Sequence, residues 1–87
     1  MSRPVKRSLT LQGHATSVSL EPEFWAAFRA IAEARGMPVS ALAVEIDTAR
    51  DEETGLATAI RLHVLADLQR RLAAAQRSPS RRAGGIE

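Results

Sequence analysis

Apolar and polar residues alternate along positions 16–20. Thr16, Val18 and Leu20 fall on one side, Ser17 and Ser19 on the other, the period-2 pattern of a half-buried strand. The period then changes without a break. Phe24, Trp25 and Phe28, all the aromatic residues of the chain, follow at helical spacing. Pro22 suits the first helical position, and Glu21 and Glu23 are favoured by the positive end of the helix dipole. A short strand feeding a helix leaves backbone edges unpaired and is not stable alone. It needs a second strand, and the cheaper of the two sources is a second copy of the chain.

Residues 6–11 are the other. Lys6, Ser8 and Thr10 share one face, and Arg7, Leu9 and Leu11 the opposite one. The connection Gln12-Gly13-His14 can turn tightly, with Gly13 supplying a positive φ. Either 6–11 and 15–20 form a hairpin, or the first segment pairs elsewhere or stays loose.

The helical pattern continues over 22–35, where Phe24, Phe28 and Ile31 recur at i, i+4 and i+7 beside Trp25 and Ala32. Gly36 terminates it. A second helix is predicted over 38–50, burying Val39, Leu42, Ala43 and Ile46, and the acidic stretch 51–55 is an exposed loop. A third helix is predicted over 56–75. Ile60, Val64 and Leu68 repeat every four residues, and Leu62, Leu65 and Leu72 widen the face. A helix so apolar requires cover on more than one side, which again implies a partner subunit. The sequence from 76 to 87 reads as a disordered tail, and 1–5 as a flexible basic arm, leaving 6–75 as the domain.

Eighty-seven residues with no cysteine make one domain whose core is marginal for a monomer. This too favours association. No apolar run is long enough to span a bilayer. The opening M-S-R-P-V-K-R lacks the apolar segment of an export signal, so a cytoplasmic protein is expected. The net charge of +2 says little, but its distribution says more. Arg3, Lys6 and Arg7 open the chain, Arg77, Arg81 and Arg82 close it, and the middle is acidic. Basic ends can touch phosphate locally, or simply keep the protein soluble.

Catalytic chemistry is sparse. His14 adjoins a turn and His63 sits in an apolar helix, neither with a second ligand at i+3 or i+4. Glu45 and Asp47 lie two apart on a helix and point in different directions. There is no nucleophile elbow and no glycine-rich phosphate loop between strand and helix. No enzyme, metal or cofactor is expected. The exposed hydroxyls of Ser17 and Ser19, doubled by a partner, would make a slim polar ribbon able to reach base edges; a solvated face of a dimerisation sheet is the plainer reading.

The order of elements resembles the ribbon-helix-helix family of dimeric bacterial repressors. T-S-V-S-L over 16–20 stands as ribbon, E-P-E-F-W-A-A-F-R-A-I-A-E-A-R over 21–35 as first helix, and G-M-P-V-S-A-L-A-V-E-I over 36–46 as turn and second helix. The opening R-P-V-K-R-S-L-T-L-Q-G-H over 3–14, and the third helix beginning G-L-A-T-A-I-R-L-H-V-L over 55–65, are similar to small ribbon-helix-helix proteins common in alphaproteobacteria. The resemblance implies strands paired antiparallel between two chains, outward side chains reading bases, and a phosphate held at the N-terminus of the second helix. By position, Ala15, Ser17 and Ser19 would face the groove, with Met37, Pro38, Val39 and Ser40 near the phosphate. Two departures stand out. Ala15 replaces a frequent arginine, and Pro38 removes an amide from the phosphate clamp.

The expectation is therefore an α+β, mostly helical ribbon-helix-helix chain with a third C-terminal helix, forming an intertwined homodimer that binds DNA as a transcriptional regulator. Arg3, Lys6 and Arg7 would meet phosphates, Ser17 and Ser19 bases, and Ser40 the phosphate at the second helix. Val18, Leu20, Phe24, Trp25, Phe28, Leu42 and Ile46 would form the dimer core. The alternative is a protein-interaction module, antitoxin-like or a structural dimer, that uses the fold without specific DNA binding. A hairpin would add a geometric constraint. Four strands at about 4.8 Å spacing span about 14 Å, against a major groove about 12 Å wide.

Overall fold

The computed structural model describes residues 2–86, with side chains through residue 76. In chain order it comprises β1 (Val5–Leu11), β2 (His14–Leu20), α1 (Pro22–Ala34), α2 (Val39–Ala49) and α3 (Leu56–Ile86). β1 and β2 pair antiparallel, with Val5 opposite Leu20 and Leu11 opposite His14. The strand that 16–20 needs is thus supplied by the same chain. Gln12 (φ 53°) and Gly13 (φ 85°) both occupy the left-handed region, the conformation of a two-residue turn whose twist matches the flanking strands.

The two faces of the hairpin differ as the alternation predicts. Leu9, Val18 and Leu20 are buried and Arg7, Leu11 and Thr16 half-buried on the inner face, while Lys6, Ser8, Thr10, Ala15, Ser17 and Ser19 are all exposed on the outer one. The helices cover the inner face alone. Pro22 opens α1 behind Glu21 as N-cap. At its end the Gly36 amide donates to Glu33 O and the Met37 amide to Ala32 O, both at 3.0 Å. These paired bonds close the last turn and require the positive φ that Gly36 takes (69°). Pro38 caps α2 one residue before its first turn.

The core joins Leu9, Val18 and Leu20 of the hairpin to Phe28, Ile31 and Ala32 of α1, Leu42, Ala43 and Ile46 of α2, and Ile60 and Val64 of α3. Val18, Leu20, Phe28, Leu42 and Ile46, expected at the seam between two copies, are already buried within one chain. Phe24 and Trp25 are half-buried at its margin.

Two boundaries and one burial pattern differ from expectation. β1 begins at Val5, inside the predicted arm, and Ser2 Oγ donates to Glu23 Oε2 at 2.6 Å, tying the arm to the start of α1. The backbone of α3 runs on to Ile86, beyond the end predicted near Ala75, although 76–86 contains Pro79, Gly84 and Gly85, the poorest helix formers. Finally, Leu68 does not continue the buried row of Ile60 and Val64, being 52% exposed. Steps of four residues overshoot a 3.6-residue turn by about 40°, so two steps carry Leu68 off the buried side.

Candidate nucleic-acid interface

The outer hairpin face is built from three cross-strand pairs: Lys6 opposite Ser19, Ser8 opposite Ser17, and Thr10 opposite Ala15. A two-residue turn makes its flanking pair, Leu11 and His14, hydrogen-bonded. Bonded and non-bonded pairs alternate along an antiparallel ladder, so these three are the non-bonded kind. Their side chains stand close together. The result is a patch with four hydroxyls, one ammonium, two methyl groups (Thr10 and Ala15) and no carboxylate. No ion pair among the described residues engages Lys6.

The predicted contact residues separate on the structure. Lys6, Ser17 and Ser19 share the patch, and Arg3 is exposed on the arm that Ser2 ties to the start of α1. Arg7 does not join them. It lies on the inner face, with its guanidinium carbon 4.9 Å from the centre of the Trp25 ring, a cation–π stack. Trp25 in turn meets the Phe28 ring at 5.8 Å and 54°. Ser40 is half-buried in the first turn of α2. Pro38 there is the cap residue, so its missing N–H costs nothing from the first-turn amides of Val39 and Ser40.

One residue of the site escaped the sequence pattern. Arg61 of α3 donates from Nε to Glu21 Oε1 at 2.9 Å and from Nη2 to the Ser19 carbonyl oxygen at 3.4 Å. Its guanidinium also lies 5.8 Å from the Phe24 ring centre. The hydrogen bond from Arg61 holds the Glu21 carboxyl below the usual glutamate range. Arg61 reads in sequence as the solvent side of a helix, and its partners lie some forty residues away. No local pattern carries that contact.

Elsewhere several ionisable groups serve the scaffold. Arg35 at the end of α1 forks onto Glu45 of α2 at 3.0 and 3.1 Å, and Asp67 receives Arg70 and Arg71. A shallow hollow of about 320 Å³ between α2 and α3 is lined by Ile46, Arg50, Asp51, Thr54, Leu62 and His63. Its arginine is occupied by Asp47 Oδ1 and the Thr54 carbonyl, both at 2.7 Å. No group of three His, Asp or Glu side chains among the described residues is placed to hold a metal ion, and no described helix is long and apolar enough to cross a membrane.

No curated protein and no solved structure matches the chain. The family model of the ribbon-helix-helix domain matches residues 4–68, a span holding both strands, α1, α2 and the part of α3 that enters the core. With a polar ribbon backed by two short helices already in view, the match establishes that the chain belongs to the ribbon-helix-helix domain family.

Proposed function

We propose that the protein is a homodimeric, non-enzymatic DNA-binding regulator that lays the outer face of its hairpin against the duplex. The observation that carries this reading is the composition of that face. Lys6 and four hydroxyls stand together with no carboxylate among the six side chains. Family membership supports it, since ribbon-helix-helix domains are typically DNA-binding regulators or antitoxins.

The hairpin sets the mode of contact. Two hairpins joined through β2 make a four-stranded sheet about 14 Å across at the usual strand spacing, broader than a major groove of about 12 Å. The sheet rests on the groove and its rims instead of entering it. Lys6 and Arg3 then meet phosphates, and Ser17 and Ser19, nearest the centre, reach toward base edges. Short hydroxyls without a bidentate arginine or glutamine give modest base discrimination. Arg7, committed to Trp25, takes no part.

Fluorescence anisotropy on genomic fragments across a salt series tests the proposal. Affinity should fall steeply with salt, and Lys6→Ala should lower the log–log slope by about 0.9 for each phosphate left without its cation. Ser17→Ala with Ser19→Ala should leave the slope unchanged and narrow the spread of affinities among fragments. Absence of binding at low salt overturns DNA recognition.

A further inference from the structure

Leu65, Leu68 and Leu72 of α3 remain 50%, 52% and 59% exposed. They stand four, seven and eleven residues beyond Arg61 and so lie along its side of the helix. That side has a landmark. Arg61 reaches the Ser19 carbonyl oxygen, and Ser19 belongs to a non-bonded pair of the hairpin, so its N–H and C=O point away from β1. The leucine row therefore starts on the side of α3 that faces the open edge of β2 and runs on from there along the helix.

We propose that this row is a second contact between two copies of the chain, each α3 laying Leu65, Leu68 and Leu72 against the same residues of the other. The proposal rests on the reading that two copies pair through β2. A two-fold axis at that edge brings the bordering sides of both α3 helices together, and such an interface is self-complementary by symmetry. The 3-4 spacing of the leucines is that of a helix–helix seam. Area points the same way. A stable interface buries roughly 800 Å² per partner, whereas the outward side chains of the β2 edge are only Ala15, Ser17 and Ser19. The strand edge supplies register, and the leucines supply the apolar surface it lacks.

Sedimentation equilibrium on the full chain decides between outcomes. Leu65→Gln with Leu68→Gln and Leu72→Gln, all at exposed sites, should raise the dimer dissociation constant at least about tenfold while the far-ultraviolet circular dichroism is retained. Because the chain has no cysteine, Leu65→Cys, Leu68→Cys and Leu72→Cys each introduce one thiol. At least one should give a disulfide-linked dimer under mild oxidation, whereas Ala30→Cys on α1, also exposed, should not. A wild-type dimer whose dissociation constant is unmoved by the glutamine changes, or no cross-link at any of the three positions, overturns the leucine contact. Ser17→Pro, which blocks the open edge without removing a hairpin bond, tests the strand reading separately. If it leaves the dimer intact while the leucine variants dissociate it, the helix contact stands and the β2 pairing falls. A wild-type chain that stays monomeric overturns both.

Discussion

Arg61 and Glu21, forty positions apart, meet at 2.9 Å. Their ion pair ties the first turns of α3 to the junction where β2 becomes α1. Because Arg61 also touches Ser19 O and the Phe24 ring, its loss should cost more than the loss of Glu21 alone. We expect Arg61→Ala to lower the urea midpoint more than Glu21→Gln does. The double variant should lose less than the sum of the two, since each change already breaks the shared bond. Urea titrations of the four proteins measure the coupling, and strict additivity would show that the pair contributes nothing in solution.

Phe28 is 0% exposed at the point where α1 meets the hairpin and the other helices. Truncating it removes transfer free energy and leaves a void, together about 3–5 kcal/mol for a buried phenylalanine. Domains of this size hold only about 5–15 kcal/mol in total. Phe28→Ala should therefore be largely unfolded or molten at 37 °C. Leu72→Ala, on a side chain already 59% exposed, should leave the fold of a single chain nearly unchanged. Thermal melts at low concentration compare the two.

Much of this architecture is legible in local pattern, and the limits follow from what local pattern encodes. Alternation in 6–11 and 16–20 separates the inner from the outer hairpin face correctly at every position, because one slip would place Val18 and Leu20 in water. Gly36 marks the end of α1 because a helix closed by paired backbone bonds needs a positive φ there. The direction of Arg7 is not legible. Inner-face position is clear from period 2, but whether a long cation snorkels outward or stacks on an aromatic depends on Trp25, eighteen residues on. The exposed leucines of α3 are only partly legible for a related reason. Apolar content says that the helix must be covered, not that its own chain covers only the side of Ile60 and Val64.

Gly36 offers a clean measurement of backbone cost. Its φ is 69°, and a Cβ built there meets nothing within 4 Å. Any penalty for Gly36→Ala is therefore conformational and not steric against neighbours. About 1–2 kcal/mol is expected for an L-residue forced into the left-handed region. Gly36→Asn should cost less, since asparagine tolerates that conformation. Denaturant midpoints for the two variants test the order, and an alanine variant as stable as wild type would show that the helix end rearranges.

Acid should weaken the helical layer through three glutamates. Glu45 is held below its ordinary range chiefly by hydrogen bonds from Arg35, Glu21 by Arg61, and Glu23 by the Ser2 hydroxyl. A carboxyl whose folded pKa is depressed binds fewer protons in the native than in the unfolded chain. Its contribution is then complete above the unfolded glutamate value, about 4.3, and is lost as pH falls through that value toward the folded one. Stability should be flat with respect to these groups near neutrality and decline below about pH 4.3. Glu45→Gln should shallow that decline, as should Glu21→Gln, while lowering stability at neutral pH. Raised salt should reduce the difference between wild type and the Glu45 variant, because the Arg35–Glu45 fork is solvent-exposed and subject to screening. Urea midpoints between pH 3 and pH 7 supply the test. An acid limb unchanged in both variants would place the linkage in other groups.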